Sequence, residues 1–147
     1  MTLPSATLYV AEPPEIYLAR TPAVVDCSVL AAVLFEERER DLALEQLRGK
    51  SLHAPGLLGY EMASVARKKR AGGWPEASVA LALEDFDAQR IQLHTPLAAE
   101  QVDLALRYGL SAYDAAYLWL AASIKAPLLT FDRLLGEAAR QHLASLA

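Results

Sequence analysis

Short apolar runs alternate along this chain with longer segments whose apolar residues return every three or four positions, a pattern that predicts strands feeding into helices. Ala23-Val24-Val25 reads as the first core strand, and a helix is predicted from Ser28 to about Glu36. A second helix spans Asp41 to Arg48, where Gly49 supplies the stop. Ser51-Leu52-His53-Ala54 is a brief extended run ended by Pro55. Residues 56–70 read as a helix stopped by Gly72-Gly73, and Pro75 suits the first turn of another that runs to about Gln89. Ile91-Gln92-Leu93 alternates as a strand does. Pro96 opens a helix to about Tyr108, Gly109 breaks it, and Ser111 begins the next, to about Lys125. Pro127 introduces a strand over 128–130, and the chain closes as a helix. Ahead of all this, residues 1–21 read as an N-terminal extension, in which Thr7-Leu8-Tyr9-Val10 suits a short strand and Pro13-Pro14 interrupts whatever follows. Strands alternating with helices over 22–147 predict an α/β domain with a mostly parallel sheet, its strand order left open.

Composition narrows the function. At 147 residues, 54% apolar and 22% charged, the chain is one domain's worth and unlike a disordered one. A net charge of −4 argues against holding nucleic acid by overall basicity, although a local basic stripe remains compatible with it. Cys27 is the sole cysteine, so no internal disulfide forms and a reducing compartment fits. No secretory signal is recognisable at the N-terminus, and no apolar stretch approaches the roughly 20 residues that cross a bilayer. The expectation is a soluble, cytoplasmic protein with no membrane contact.

Four acids then change the picture. Asp26 ends the first strand, and Asp132 follows the last one, Leu128-Leu129-Thr130-Phe131. Ligands of open parallel sheets sit beyond the carboxyl ends of the strands, so both should project at that edge. Glu61 has Leu57, Leu58, Ser64 and Val65 at helical spacing; Asp114 has Leu110, Ser111, Tyr117 and Leu118. Both therefore lie on or beside a buried helix face, and neither has a Lys or Arg three or four residues away. A desolvated, unpaired carboxylate costs several kcal/mol, roughly, unless it is protonated or meets a cation. Acids gathered in one partly dry site therefore ask for a metal. Structural alternatives exist: Asp26 and Asp132 suit helix N-caps, and Glu61 suits an Arg from elsewhere in the fold or the edge of its helix's apolar face, whereas Asp114 is the hardest to dismiss.

The ordered set Val24-Val25-Asp26-Cys27-Ser28, Glu61 in an apolar helix, Ser111-Ala112-Tyr113-Asp114-Ala115-Ala116-Tyr117 and Leu129-Thr130-Phe131-Asp132 resembles the PIN domain. More narrowly it is similar to the VapC-type ribonuclease toxins of bacterial toxin–antitoxin pairs. The resemblance covers about residues 23–140. It implies a three-layer α/β/α domain, a homodimer, an RNA substrate, a cognate antitoxin protein, and metal-dependent endoribonuclease activity. It places the family's acidic quartet on Asp26, Glu61, Asp114 and Asp132, and its supporting hydroxyls on Ser28 and Thr130. Cys27 stands where Thr or a small residue is usual, and the extension before the first strand is longer than in many members.

Hard oxygen donors without a His or Cys cluster favour Mg²⁺ or Mn²⁺ over zinc. Asp26 and Asp114 are the expected principal ligands, with Asp132 and Glu61 completing the shell or orienting water. Thr130 also suits a strand end by β-propensity alone. For RNA, Arg67-Lys68-Lys69-Arg70 and Arg133 are the candidate cations, although basic residues favour a helix C-terminus in any case. Tyr60, Tyr113 and Trp74 suit base stacking, although core packing is the commoner fate of aromatics. His53, His94 and His142 are scattered, and Cys27 reads as a small buried apolar residue. The rival functions are a non-catalytic PIN-like domain for RNA binding or assembly, and a metal-dependent phosphatase on a generic α/β fold.

Overall fold

The computed structural model describes residues 9, 11 and 20–146. The expected strand over 7–10 and most of the extension lie outside the described residues. The elements are β1 (Thr21–Val25), α1 (Cys27–Leu34), α2 (Arg40–Leu47), β2 (Lys50–Pro55), α3 (Leu58–Ala71) and α4 (Glu76–Ala88). They continue with β3 (Gln92–His94), α5 (Ala98–Tyr108), α6 (Ala112–Ile124), β4 (Leu128–Leu129) and α7 (Arg133–Ala144). Every predicted element within these residues is present, with ends shifted by a few positions. The largest differences have local causes. Gly56 does not open α3 because its N–H is still bonded to the sheet, donating to the His94 carbonyl at 3.0 Å. Thr130 falls outside β4 because the β1–β4 pairing ends at Val25 and Leu129, where β1 itself ends.

The four strands are all parallel, in the order β3-β2-β1-β4. Val24 sits opposite both His53 of β2 and Leu128 of β4, so β1 is central and its Ala23, Val24 and Val25 are fully buried. That explains the uninterrupted apolar run: a strand covered on both faces has no polar side to show. The helices fall into two layers. α1 to α4 pack among themselves, whereas α6 lies across β1, β2 and β4 and packs with α5 and α7. Tyr117, Leu118 and Leu120 of α6, Met62 and Leu58 of α3, and Phe35 fill the space between helices and sheet. Gly109 ends α5 in the left-handed region at φ 65°, which suits a residue without Cβ.

This winding determines where a ligand can sit. The chain steps outward from β1 to β2 to β3, then returns to place β4 on the other side of β1. Between β1 and β4 the helices leave in opposite directions, and a crevice opens at the carboxyl ends of those two strands. Asp26 follows β1 and Asp132 lies three residues after β4, so both stand at that switch point.

Candidate active site

All four acids occupy helix N-termini. Asp26 is the N-cap of α1 and accepts the Val29 N–H at 3.3 Å; Asp132 is the N-cap of α7 and accepts the Leu135 N–H at 2.9 Å. Glu61 and Asp114 lie in the first turns of α3 and α6, the latter capped by the Ser111 hydroxyl, which accepts the Asp114 N–H at 3.0 Å. The capping alternative for Asp26 and Asp132 is thus correct and does not compete with a site. Four positive helix ends directed at one region favour negative charge there.

Asp26 is the hub. It is only 7% exposed, yet both of its oxygens are satisfied. Ser28 Oγ donates to Oδ1 at 2.6 Å, and Thr130 Oγ1 donates to Oδ2 in a short bond. Each hydroxyl also accepts a backbone N–H from the β4 tip, Ser28 from Phe131 at 3.0 Å and Thr130 from Asp132 at 2.9 Å. With an N–H pointing at each hydroxyl oxygen, each hydroxyl proton is left to face the carboxylate. The network ties the ends of β1 and β4 together, and it gives Thr130 a role that β-propensity does not supply.

Glu61 accepts the Tyr117 hydroxyl at 2.5 Å. Tyr117 is essentially buried on α6, one turn after Asp114, and a buried tyrosine needs a partner for its O–H. Sequence reading placed Tyr117 on the inward stripe without assigning it this contact. The signal was there: a tyrosine on an otherwise apolar stripe, three residues from an acid.

The acids perturb one another. Burial raises Asp26, while Ser28, Thr130 and the α1 N-terminus pull it down. Burial raises Glu61 and Asp114 as well. The charges of Asp26 and Asp114 then push Glu61 further up, and those of Asp132 and Asp26 do the same to Asp114. Tyr117 opposes the shift at Glu61, and Ser111 opposes it at Asp114. The structure therefore brings the acids within electrostatic reach, and burial together with neighbouring carboxylates disfavours ionisation of Glu61 and Asp114. Burial, followed by the charges of Glu61, Asp26 and Glu37, pushes the Cys27 thiol up to about 12. It stays protonated and packs as a small apolar group.

A divalent cation is the species that would relieve this repulsion. Among the described residues, no three His, Cys, Asp or Glu side chains converge tightly enough to form a ready-made metal cage. The donor set nonetheless fits Mg²⁺ or Mn²⁺: carboxylates with supporting hydroxyls, no thiolate, and no imidazole among them. Mg²⁺ keeps several waters and takes one or two carboxylates directly, so spread acids suit it better than a closed cage would.

Beside the acids runs a groove of about 520 Å³, lined by Ser28, Glu37, Glu61, Ser64, Lys68 and Phe131 among others. The expected cations divide. Lys69 pairs with Glu37 at 3.5 Å and lies over the rings of Phe35 and Trp74. Arg70 pairs with Glu76 at 3.4 Å, and Arg133 with Glu137 at 3.0 Å. Lys68 lines the groove, and Arg67 is exposed without an ion pair among the described residues. Trp74 meets Phe35 edge-on at 5.5 Å, whereas Tyr60 and Tyr113 are exposed. The histidines are less scattered than their numbering suggests: His53 Nδ1 and His94 Nε2 are 2.9 Å apart across β2 and β3. His142 is buried against the Tyr108 hydroxyl at 2.8 Å.

The PIN domain pattern matches residues 23–141. Over 120 residues the chain is 34% identical to Ribonuclease VapC3 of Pyrobaculum aerophilum, an alignment spanning 78% of this chain and 92% of that protein. The crystal structure of PAE2754 from Pyrobaculum aerophilum superposes with a TM-score of 0.66 at 26% identity, covering 86% of this chain and 96% of the other. Motifs, parallel order and relatives agree, and the chain belongs to the PIN-domain family.

Proposed function

We propose that this protein is a metal-dependent endoribonuclease, the toxin of a toxin–antitoxin pair, and that Asp26, Glu61, Asp114 and Asp132 form its reactive centre. One observation supports the reading: four acids stand at four helix N-termini beside the sheet's switch point, where neighbouring carboxylates oppose the ionisation of Glu61 and Asp114 and, among the described residues, no basic side chain forms an ion pair with any of the four. A bound Mg²⁺ or Mn²⁺ would supply hydroxide near neutral pH and charge stabilisation for in-line attack on a phosphodiester. Asp26 and Asp114 would hold it, with Asp132 and Glu61 completing the shell or orienting water. Ser28 and Thr130 hold Asp26 in place and favour its ionised form against burial, and Tyr117 does the same for Glu61. The relation to Ribonuclease VapC3 supports RNA as the substrate and an antitoxin as the inhibiting partner. The domain of 22–147 would act as a homodimer in the cytoplasm; exposed Val102 and Leu106 on α5 offer apolar surface that a second copy would cover. The alternative is a non-catalytic PIN-like domain used for RNA binding or assembly.

The test is cleavage of a mixed RNA panel with Mg²⁺, with Mn²⁺ and with chelator, comparing wild type and Asp114→Asn. Cleavage should require metal and fall by more than about 100-fold in the variant, beyond the loss of an outer hydrogen-bond partner. Cleavage that persists in chelator would refute the metal role. A wild type that cleaves nothing and shows no metal-dependent rise in Tm would leave the non-catalytic reading.

A further inference from the structure

Phe131 is pinned to the acid centre by its backbone, its N–H donating to Ser28 Oγ at 3.0 Å, and the residue remains 39% exposed. It borders the groove that holds Ser28, Glu61 and Lys68, and it also borders a second groove lined by Val29, Leu42 and Gln46. It thus stands between the two grooves, partly open to solvent beside the acids.

Lys68 shares the first groove. It comes seven residues after Glu61 on α3, so it falls within about 20° of Glu61 around the helix and about 10.5 Å farther along it. Arg67, by the same geometry, is about 120° away. Lys69 and Arg70 are held by Glu37 and Glu76, while Glu39 lines the groove without an ion pair among the described residues. Lys68 has no ion-pair partner among the described residues and is the cation that lines this groove.

We propose that Phe131 and Lys68 form a clamp for single-stranded RNA beside the acids. One unstacked base lies on the Phe131 ring, and a flanking phosphate, not the reacting one, meets Lys68. The inference rests on the hydrolase reading and assigns how that site holds its substrate. Aromatic rings take unpaired bases of any sequence, whereas a duplex hides its base faces in the stack.

The experiment measures binding of short single-stranded RNAs by the full chain carrying Asp114→Asn, so that cleavage does not intervene. Phe131→Leu should weaken binding about tenfold, leave the salt dependence unchanged and abolish quenching of a 2-aminopurine stepped along the strand. Phe131→Tyr should restore both. Lys68→Met should lower the slope of log affinity against log salt by about 0.7, while Arg67→Met should not. Quenching that survives Phe131→Leu, or an unchanged slope in Lys68→Met, would overturn the clamp. Wild-type cleavage without either effect would overturn the clamp and leave the hydrolase standing. Both effects in a protein that cleaves nothing would support the clamp and remove the hydrolase.

Discussion

Replacing Thr130 with Val keeps the shape of the side chain and deletes one hydroxyl that joins β4 to Asp26. The Asp132 N–H it releases is exposed and gains water, so that bond is nearly free. Asp26 Oδ2 is different, because it loses its protein donor in a site with 7% exposure. A hydrogen bond to a charged group is worth about 1.5–3 kcal/mol, which for a domain of this size lowers Tm by about 3–12 °C. Ser28→Ala should cost less, since Oδ1 still accepts the Val29 N–H at 3.3 Å.

The sign with pH follows from Asp26, whose folded pKa lies above its ordinary 3.8 because burial outweighs its donors. A carboxyl raised on folding is most favourable when protonated, and its contribution is lost as pH rises through the folded value. Thr130 holds that value down, so removing it lifts it further. The cost of Thr130→Val should therefore be larger at pH 7 than at pH 3.8, where a carboxyl raised above that value is mainly protonated. Urea unfolding in chelator at both pH values measures it. A loss below about 0.5 kcal/mol at pH 7, equal losses at both, or a larger loss in Ser28→Ala would refute the network as described.

Asp114→Asn should stabilise the metal-free protein at pH 7, because burial and the charges of Asp132 and Asp26 raise Asp114. The advantage should fade as pH falls toward 3.8, where wild-type Asp114 is protonated. Paired melts of the two proteins give the difference and cancel the opposite contribution of His53 and His142, which burial lowers. Leu118→Ala, at a fully buried position of α6, should cost about 2–5 kcal/mol in chemical unfolding. Arg133→Ala should change stability by less than about 1 kcal/mol, since its bond to Glu137 is an exposed pair; a larger loss would give that pair a role the structure does not show.

Much of the fold is legible in the sequence because its signals are local. Gly49, Gly109 and the proline-led starts punctuate the helices, and Ala23-Val24-Val25 can only be comfortable where both faces are covered. The acids at 26, 61, 114 and 132 announce themselves by standing in or beside apolar runs, Glu61 and Asp114 without a cation at helical spacing. Helical spacing even places Lys68 in line with Glu61, although only the partners of Lys69 and Arg70 show why Lys68 is the one that remains. The rest depends on pairings between distant segments, which no local pattern encodes. The order β3-β2-β1-β4 decides that Asp26 and Asp132 share one crevice. The hydroxyl of Thr130 reaches a carboxylate 104 residues away, and that of Tyr117 reaches one 56 residues away. His53 and His94, scattered in the sequence, become neighbours because β2 and β3 pair in register. The sequence determines which groups are costly to bury; the tertiary structure decides which of them share that cost, because their desolvation and repulsion exist only once the chain has folded.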